Sequence, residues 1–445
     1  MAGNFISGAS IGRRSLVKGI GGAALVAGTA GAPWIAHAQG KKSLRFWTSQ
    51  NAPNQMQAWQ DIFGRFEKAN PDFKVEIEAY SDDNLWPKLS AAFAGRDVPD
   101  LISYVQAYTV VSLNQQGLVE PFDDVIKAVG ENEFFDSARD IYKSNGSYMA
   151  ATLNNQTSSN LFYRKDLLQE AGVEPPRYWD DLLNVAKKTT KNGIYGNSLP
   201  YGRNAMTSTM MVMFVKQSGG SIVNPDLSVA FNSPEVAATL EFLKEIYEYA
   251  PPGANNYSWG ETVNSFVTGK AACAPYTGRP LFLVSTQNPS LADKISRVAY
   301  PHRKEGKPAY DCPFNSLFIP KGSKNVEGAK LLARALFEKQ ANIQILHTAP
   351  GHNLPVLKAV AAAPEYYDQP LIKKYESEVR GMIETTNLSR NLVKESDQHK
   401  FNVKAGDIFN SMVLAEAVQA VVVEKKSAKQ AAAEGADKIA EIMKG

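Results

Sequence analysis

Two cysteines in 445 residues, Cys273 and Cys312, are too few for a disulfide framework or a cysteine-rich zinc site. Histidine is also scarce, at five, and His347 and His352 flank Pro350-Gly351 rather than standing at a helical metal-ligand spacing. Charge of one sign is missing: 48 basic against 45 acidic side chains leave no basic field for nucleic acid. Glycine (32) and proline (24) are near average usage, which excludes collagen-like and low-complexity chains. No run beyond residue 40 reaches the ~18 consecutive apolar residues of a membrane helix. What remains is an ordinary globular composition, long enough for two or three domains.

The first forty residues contain no acid. Gly12-Arg13-Arg14-Ser15-Leu16-Val17-Lys18 precedes a Gly/Ala-rich apolar stretch over 19–32, and Ala36-His37-Ala38 offers a small-x-small cleavage site. This pattern predicts a signal peptide over 1–38, too short and glycine-rich to remain in a bilayer. The paired arginines and weak apolar region are similar to a twin-arginine export signal. Its removal takes away Arg13, Arg14 and Lys18 and leaves 45 basic and 45 acidic side chains. No cysteine stands at the cleavage point to carry a lipid. The expectation is a soluble, exported, charge-neutral protein.

The exported chain opens as strand (Leu44–Trp47), helix (Met56, Trp59, Ile62, Phe63 and Phe66 on one face), strand (Phe73, Val75, Ile77), helix (Leu85 to Gly95) and strand (Leu101–Tyr104). That order predicts a parallel sheet flanked by helices, hence an α/β fold. The polar run Asn154-Asn155-Gln156-Thr157-Ser158-Ser159 lies between two strand-like segments and reads as a surface hairpin or an interdomain crossing. Helices are predicted over 165–171, 179–190, 205–217, 234–249 and 326–338, with Ser233 capping the fourth. The last hundred residues read as nearly all helical.

Catalytic signatures are missing. There is no HExxH, no GxSxG and no P-loop, since Gly269-Lys270 is followed by Ala271. Cys273 lies in the apolar Ala271–Ala274 segment and reads as a buried structural thiol. The carboxylate pairs Asp82-Asp83, Asp123-Asp124 and Asp180-Asp181 each fall where a helix begins, where capping and the helix dipole account for them. No enzyme, metal or cofactor is expected. The rival reading is an exported carbohydrate-active enzyme.

Trp47 ends the first strand ahead of Thr48-Ser49-Gln50-Asn51, and Tyr104 ends the third ahead of Val105-Gln106. In an open α/β sheet, ligands bind beyond the carboxyl ends of the strands. Aromatic faces together with amides suit a neutral polyhydroxyl ligand.

These blocks resemble the extracellular solute-binding proteins of ATP-driven sugar importers, the maltose-binding-protein group. The resemblance rests on Phe46-Trp47, Ala94-Gly95 with Pro99–Ile102, and Asn160–Leu168 with Ala171-Gly172-Val173 and Trp179–Leu182. It continues through Phe266–Ala272, Tyr276–Arg279, Phe318–Ser323 and Pro350–Pro355, and so spans nearly all of 43–440. It implies a class II two-lobed periplasmic-binding-protein fold, each lobe a mainly parallel sheet flanked by helices. Lobe one would be 43–152 plus 302–345, and lobe two 153–301 plus 346–445. It further implies a periplasmic monomer that captures a sugar or polyol between the lobes and delivers it to permease subunits of an ABC importer. By position, the implied ligand contacts are Trp47, Gln50, Asn51, Tyr104, Gln106, Asn154, Asn155, Gln156, Tyr276, Gly278, Arg279, Asn315 and His352. Arg279 stands where the family often has an aromatic, with Tyr276 or Phe282 as substitute platforms. Arg203 is a second candidate cation, and two arginines would suit an acidic sugar or a sugar phosphate. With Cys273 and Cys312 in different lobes, a bridge would oppose hinge motion, so two free thiols are expected.

Overall fold

The computed structural model describes residues 41–80 and 85–444. The signal peptide read over 1–38 and the Asp82-Asp83 pair lie outside the described residues. Residues 41–445 form one compact unit containing two principal sheets.

The first sheet begins with β1 (Lys42–Thr48), α1 (Pro53–Ala69), β2 (Phe73–Ala79), α2 (Leu85–Gly95), β3 (Leu101–Val105) and α3 (Ala107–Gln115). The predicted face of α1 is the buried one: Trp59, Ile62, Phe63 and Phe66 pack on the sheet, with the Phe46 ring 5.1 Å from Trp59 and 5.0 Å from Phe63. The amphipathic period of α1 and the alternation of β2 thus cover one side of β1, which is buried along most of its length. Strand β4 (Ala151–Asn154) belongs to the same sheet. The chain then crosses to β5 (Asn160–Arg164) of the second sheet, which is completed by β6 (Cys273–Tyr276) and β7 (Ile295–Ala299). It returns over 300–314 to β8 (Asn315–Phe318), which lies between β3 and β4.

The α/β class and its flanking helices are as expected, but strand direction is more mixed than parallel. Strand β1 pairs parallel with β2 and β3. Strand β8 is antiparallel to β3 and β4 because it enters from the second sheet. The second sheet is antiparallel throughout, with β5 between β6 and β7.

Local sequence rules account for most elements. Helices form over Lys165–Ala171, Trp179–Thr189, Ala205–Gln217 and Pro234–Tyr247, and Ser233 caps the last by accepting from the Val236 amide. Asp123 and Asp124 stand in the first turn of one helix, and Asp180 and Asp181 in that of another. Asp181 also accepts from the Tyr178 amide at 2.9 Å, a capping role that uses the carboxylate structurally. The polar run over 154–159 is a crossing, not a surface hairpin: all but Gln156 are buried. The last hundred residues are less helical than expected, because 388–404 is irregular. Ala405–Val422 is apolar enough for its length to resemble a membrane span, yet it is mostly buried and is broken where Met412 takes a φ of +63°.

Cys273 and Cys312 are both free and buried, as expected, and burial pushes each thiol up to about 12. Neither is a nucleophile at neutral pH.

Candidate binding site

The ends of β1 and β3, the crossings and several second-sheet segments enclose a cavity of about 480 Å³, within the usual range for small-molecule sites. Tyr104 is the residue on which its geometry turns. In β8, Ser316 pairs with Val105 and Leu317 with Ser103, so Tyr104 is the extra residue of a bulge. Its φ of +63° is left-handed, a conformation that costs a non-glycine residue about 1–3 kcal/mol. The bulge brings the ring to the cavity wall.

An amide network fixes the Tyr104 hydroxyl. Asn154 Nδ2 donates to it, and Asn353 Nδ2 donates to it at 3.4 Å. Asn315 Nδ2 in turn donates to Asn154 Oδ1 at 2.9 Å, and Gln156 Nε2 to Asn353 Oδ1 at 2.8 Å. A phenol has two acceptor lone pairs and one proton. With both lone pairs engaged, the Tyr104 proton is left to donate, and no acceptor for it occurs among the described residues. Burial, against the pull of Asn154 and Asn353, raises this phenol well above its ordinary range, so the proton stays on.

The second sheet supplies the opposite wall. Tyr276 ends β6, and two helices of the same half of the chain, α4 (Ala205–Gln217) and α5 (Trp259–Val267), stand beside it, with Trp259 opening α5. Ser258 and Glu261 form a capping box that sets where α5 starts, and so where the Trp259 indole points. Trp259 is half-buried and meets Tyr276 edge to face, with centroids 5.5 Å apart. From α4, Ala205 and Thr209 reach the same cavity. Phe409 closes it from the C-terminal part, stacked on Tyr108 at 4.7 Å.

Arg279, His352 and Thr277 form a chain at one end. Arg279 Nη2 lies 3.3 Å from His352 Nε2, and His352 Nδ1 lies 2.8 Å from Thr277 Oγ1. Burial, and then the charge of Arg279, push the imidazole down to about 3, so it is neutral. A guanidinium can only donate; Nε2 is therefore the acceptor, and Nδ1–H donates to Thr277.

Among the described residues Asp311 is the one carboxylate lining the cavity, and it is 1% exposed. Its backbone is tied to the first crossing: its amide donates to Ser159 Oγ at 2.7 Å, and its carbonyl accepts from Thr157 Oγ1 at 3.1 Å. Its carboxylate oxygens have no hydrogen-bond partner among the described residues. Burial pushes this acid up to about 7, with Lys216 opposing and Glu395 adding to the rise. Behind it, Lys216 Nζ donates to the carbonyls of Tyr310 (3.1 Å) and Arg390 (2.7 Å), and Glu395 accepts from the amides of Ile222 and Val223.

Of the residues expected at the ligand, the cavity wall contains Gln50, Tyr104, Gln106, Gln156, Tyr276, Arg279, Asn315 and His352. Asn154 stands behind Tyr104 as its hydrogen-bond donor. Trp47 is a correction: it is 3% exposed and outside the wall, its Nε1 donating to Glu78 Oε2 at 2.6 Å with Lys88 Nζ 4.2 Å from the ring centroid. Asn51 is exposed beside α1 and does not line the cavity. Asn155 is buried and held by backbone pairing with Leu354. Gly278 serves close packing, since a Cβ there would lie 1.7 Å from the Gly351 carbonyl oxygen. Arg203 is elsewhere, ion-paired with Glu416 at 2.8 Å in a separate hollow. Sequence reading missed Trp259, Asp311, Tyr108 and Phe409. Only Trp259 carries a local signal, as an aromatic just after the first residue of a Ser-x-x-Glu pattern, Ser258 to Glu261.

The profile of the bacterial extracellular solute-binding proteins matches residues 51–343. The Escherichia coli K12 protein YcjN, assigned by name to the ABC transporter periplasmic-binding proteins, is 26% identical over 338 residues, 74% of this chain and 77% of its own. The mannitol-binding protein of Pseudomonas aeruginosa PAO1 is 25% identical over 309 residues, 66% of this chain and 69% of its own. Among solved structures, an ABC transporter solute-binding protein of Thermotoga lettingae TMO bound with α-D-tagatose superposes with a TM-score of 0.74 at 23% identity, covering 90% of this chain and 100% of that one. The two-lobed architecture is common to this chain and those structures, and family and neighbours are binding proteins rather than enzymes, which removes the alternative of an exported carbohydrate-active enzyme. The chain belongs to the bacterial extracellular solute-binding proteins.

Proposed function

We propose that this protein captures a neutral monosaccharide or polyol in the 480 Å³ cavity and delivers it to the membrane permease of an ABC importer. The observation that carries the reading is the pairing of unspent hydrogen-bonding groups with an aromatic wall. Asp311, whose Oδ1 is buried without a partner among the described residues, and Tyr104, whose hydroxyl proton is left to donate, line the cavity together with Trp259. A ligand hydroxyl can donate to the first and accept from the second, while its C–H face lies on the indole. The mannitol-binding relative and the tagatose-bound neighbour are consistent with that chemistry.

A carboxylate in the wall disfavours an anionic ligand, because two like charges in a desolvated cavity repel. With Arg203 paired at a distance, Arg279 is the one arginine of the wall among the described residues, and the acidic-sugar reading loses half its support. In this reading lobe one is 43–154 plus 302–345 and lobe two 155–301 plus 346–445, the first boundary moved from 152 to the end of β4, and closure bends the crossings. Export to the periplasm by the 1–38 signal and a monomeric state complete the reading.

A thermal-shift screen against hexitols, hexoses, disaccharides, uronates and sugar phosphates tests it. A ligand of the native state adds about 4 kcal/mol at a thousandfold excess over Kd, an upward shift of several degrees for a chain of this length. The expected hit is a neutral monosaccharide or hexitol. A response confined to uronates or phosphates would overturn the assignment of ligand charge.

A further inference from the structure

A second cavity of about 790 Å³ adjoins the first, and the two share Arg279 and His352 as a common wall. It lies between the start of α1, the helix α6 (Arg279–Gln287), the segment 347–350 and the segment 369–374. It is the less polar of the two. Phe282, Leu283, Pro350 and Leu371 supply apolar surface, and Phe282 is 46% exposed, the one aromatic among the exposed large hydrophobic side chains of the described residues.

Most of the polar side chains of this second chamber are engaged within the protein, Lys374 with Asp293 and Thr286 with the Phe282 carbonyl among them. Asn54 Nδ2 donates to the Thr348 carbonyl at 2.7 Å, and Gln55 spans Gln50 Oε1 (2.6 Å) and the Ala52 amide (3.0 Å). Ser285 and Thr348 donate to carbonyls of their own helix turns, at 2.8 Å and 2.7 Å. A second sugar ring would find few free partners there, and its hydroxyls would be desolvated without replacement. An apolar group loses nothing of the kind and gains in proportion to the area it buries.

Resting on the reading of the first cavity as a sugar site, we infer that the second chamber receives the apolar aglycone of a glycoside whose sugar ring occupies the first. The occupant is an aryl or alkyl group joined to the sugar past the Arg279–His352 pair. Phe282 is the face on which it stacks.

Two measurements test this on the purified protein. The first compares methyl and phenyl hexopyranosides by calorimetry. The phenyl compound is expected to bind at least about tenfold tighter, as burial of a ring of this size allows. That advantage should vanish in Phe282→Ala and in the chamber-filling Ala349→Trp, while methyl hexoside affinity is unchanged and reports correct folding. Equal affinity of the two glycosides, or an advantage that survives both substitutions, would overturn the inference. The second follows 4-fluorophenol by ¹⁹F line broadening and needs no sugar. Broadening in the wild type that is lost in both variants supports the chamber even if every saccharide fails, in which case only the sugar reading falls. No broadening, or broadening equal in all three proteins, rejects the chamber by itself.

Discussion

Trp259→Ala should weaken binding of the neutral ligand about tenfold or more while leaving the protein folded. The indole contributes area and a π face to a C–H-rich ring, together worth about 1–3 kcal/mol, and 1.4 kcal/mol is tenfold in affinity. The side chain is half-buried at the first position of α5, and its removal leaves the Ser258–Glu261 cap intact. Trp47→Ala is the contrast. That ring is enclosed by sheet and salt-bridge neighbours, so its loss should cost about 3–5 kcal/mol of stability, with little change in the affinity of the protein that remains folded. Calorimetry at a temperature well below both melting transitions separates the two. If Trp47→Ala weakened binding and Trp259→Ala did not, the aromatic wall would be wrongly assigned.

Asp311→Asn should move stability and affinity in opposite directions. The native carboxyl sits above its ordinary value of 3.8, at about 7, mainly through burial. A group raised in this way binds its proton more tightly in the folded than in the unfolded chain. Its contribution to stability therefore declines as pH rises from about 4 to about 7 and is flat beyond. The rise corresponds to about 4 kcal/mol across that window. The amide cannot ionise, so the variant should lose stability less steeply with pH. Glu395, also pushed up to about 7 by burial, keeps part of the slope. Binding should respond oppositely. The charged carboxylate is the better acceptor for a ligand hydroxyl, with about 1.5–3 kcal/mol at stake, so wild-type affinity should strengthen from pH 5.5 to pH 8. Asp311→Asn should bind at least about tenfold more weakly at pH 8 and show little pH dependence. Denaturant melts and titrations at the two pH values read both effects.

How far the sequence disclosed this site depends on which force places each residue. The face of α1, the Ser233 cap and the Asp180-Asp181 turn follow local rules, and they stand where periodicity and capping put them. Gln50, Gln106 and Gln156 could be found because strand ends and crossings are readable as breaks in pattern. Trp47 could not be separated from a ligand contact, since its partners Glu78 and Lys88 come from β2 and α2. Tyr104 reaches the wall only through a left-handed bulge, which no β-branched or glycine signal announced. Asp311 falls in no motif and at no break in pattern that the sequence displays. The charges that act on it, Lys216 and Glu395, lie far from it in the chain. Tertiary neighbours decide such residues, and one sequence does not display them.

The most direct test of the cavity as the binding site is a titration of the strongest neutral hit from the screen into wild-type protein and into Thr209→Trp. Thr209 is a partly exposed residue of α4 on the cavity wall, away from the hydrogen-bonding groups assigned to the ligand, and an indole there fills the space the sugar would take. The wild type should show one saturable site, and a Thr209→Trp protein that still melts cooperatively should show no detectable binding. Undiminished binding in that folded variant would contradict the cavity's assignment as the binding site.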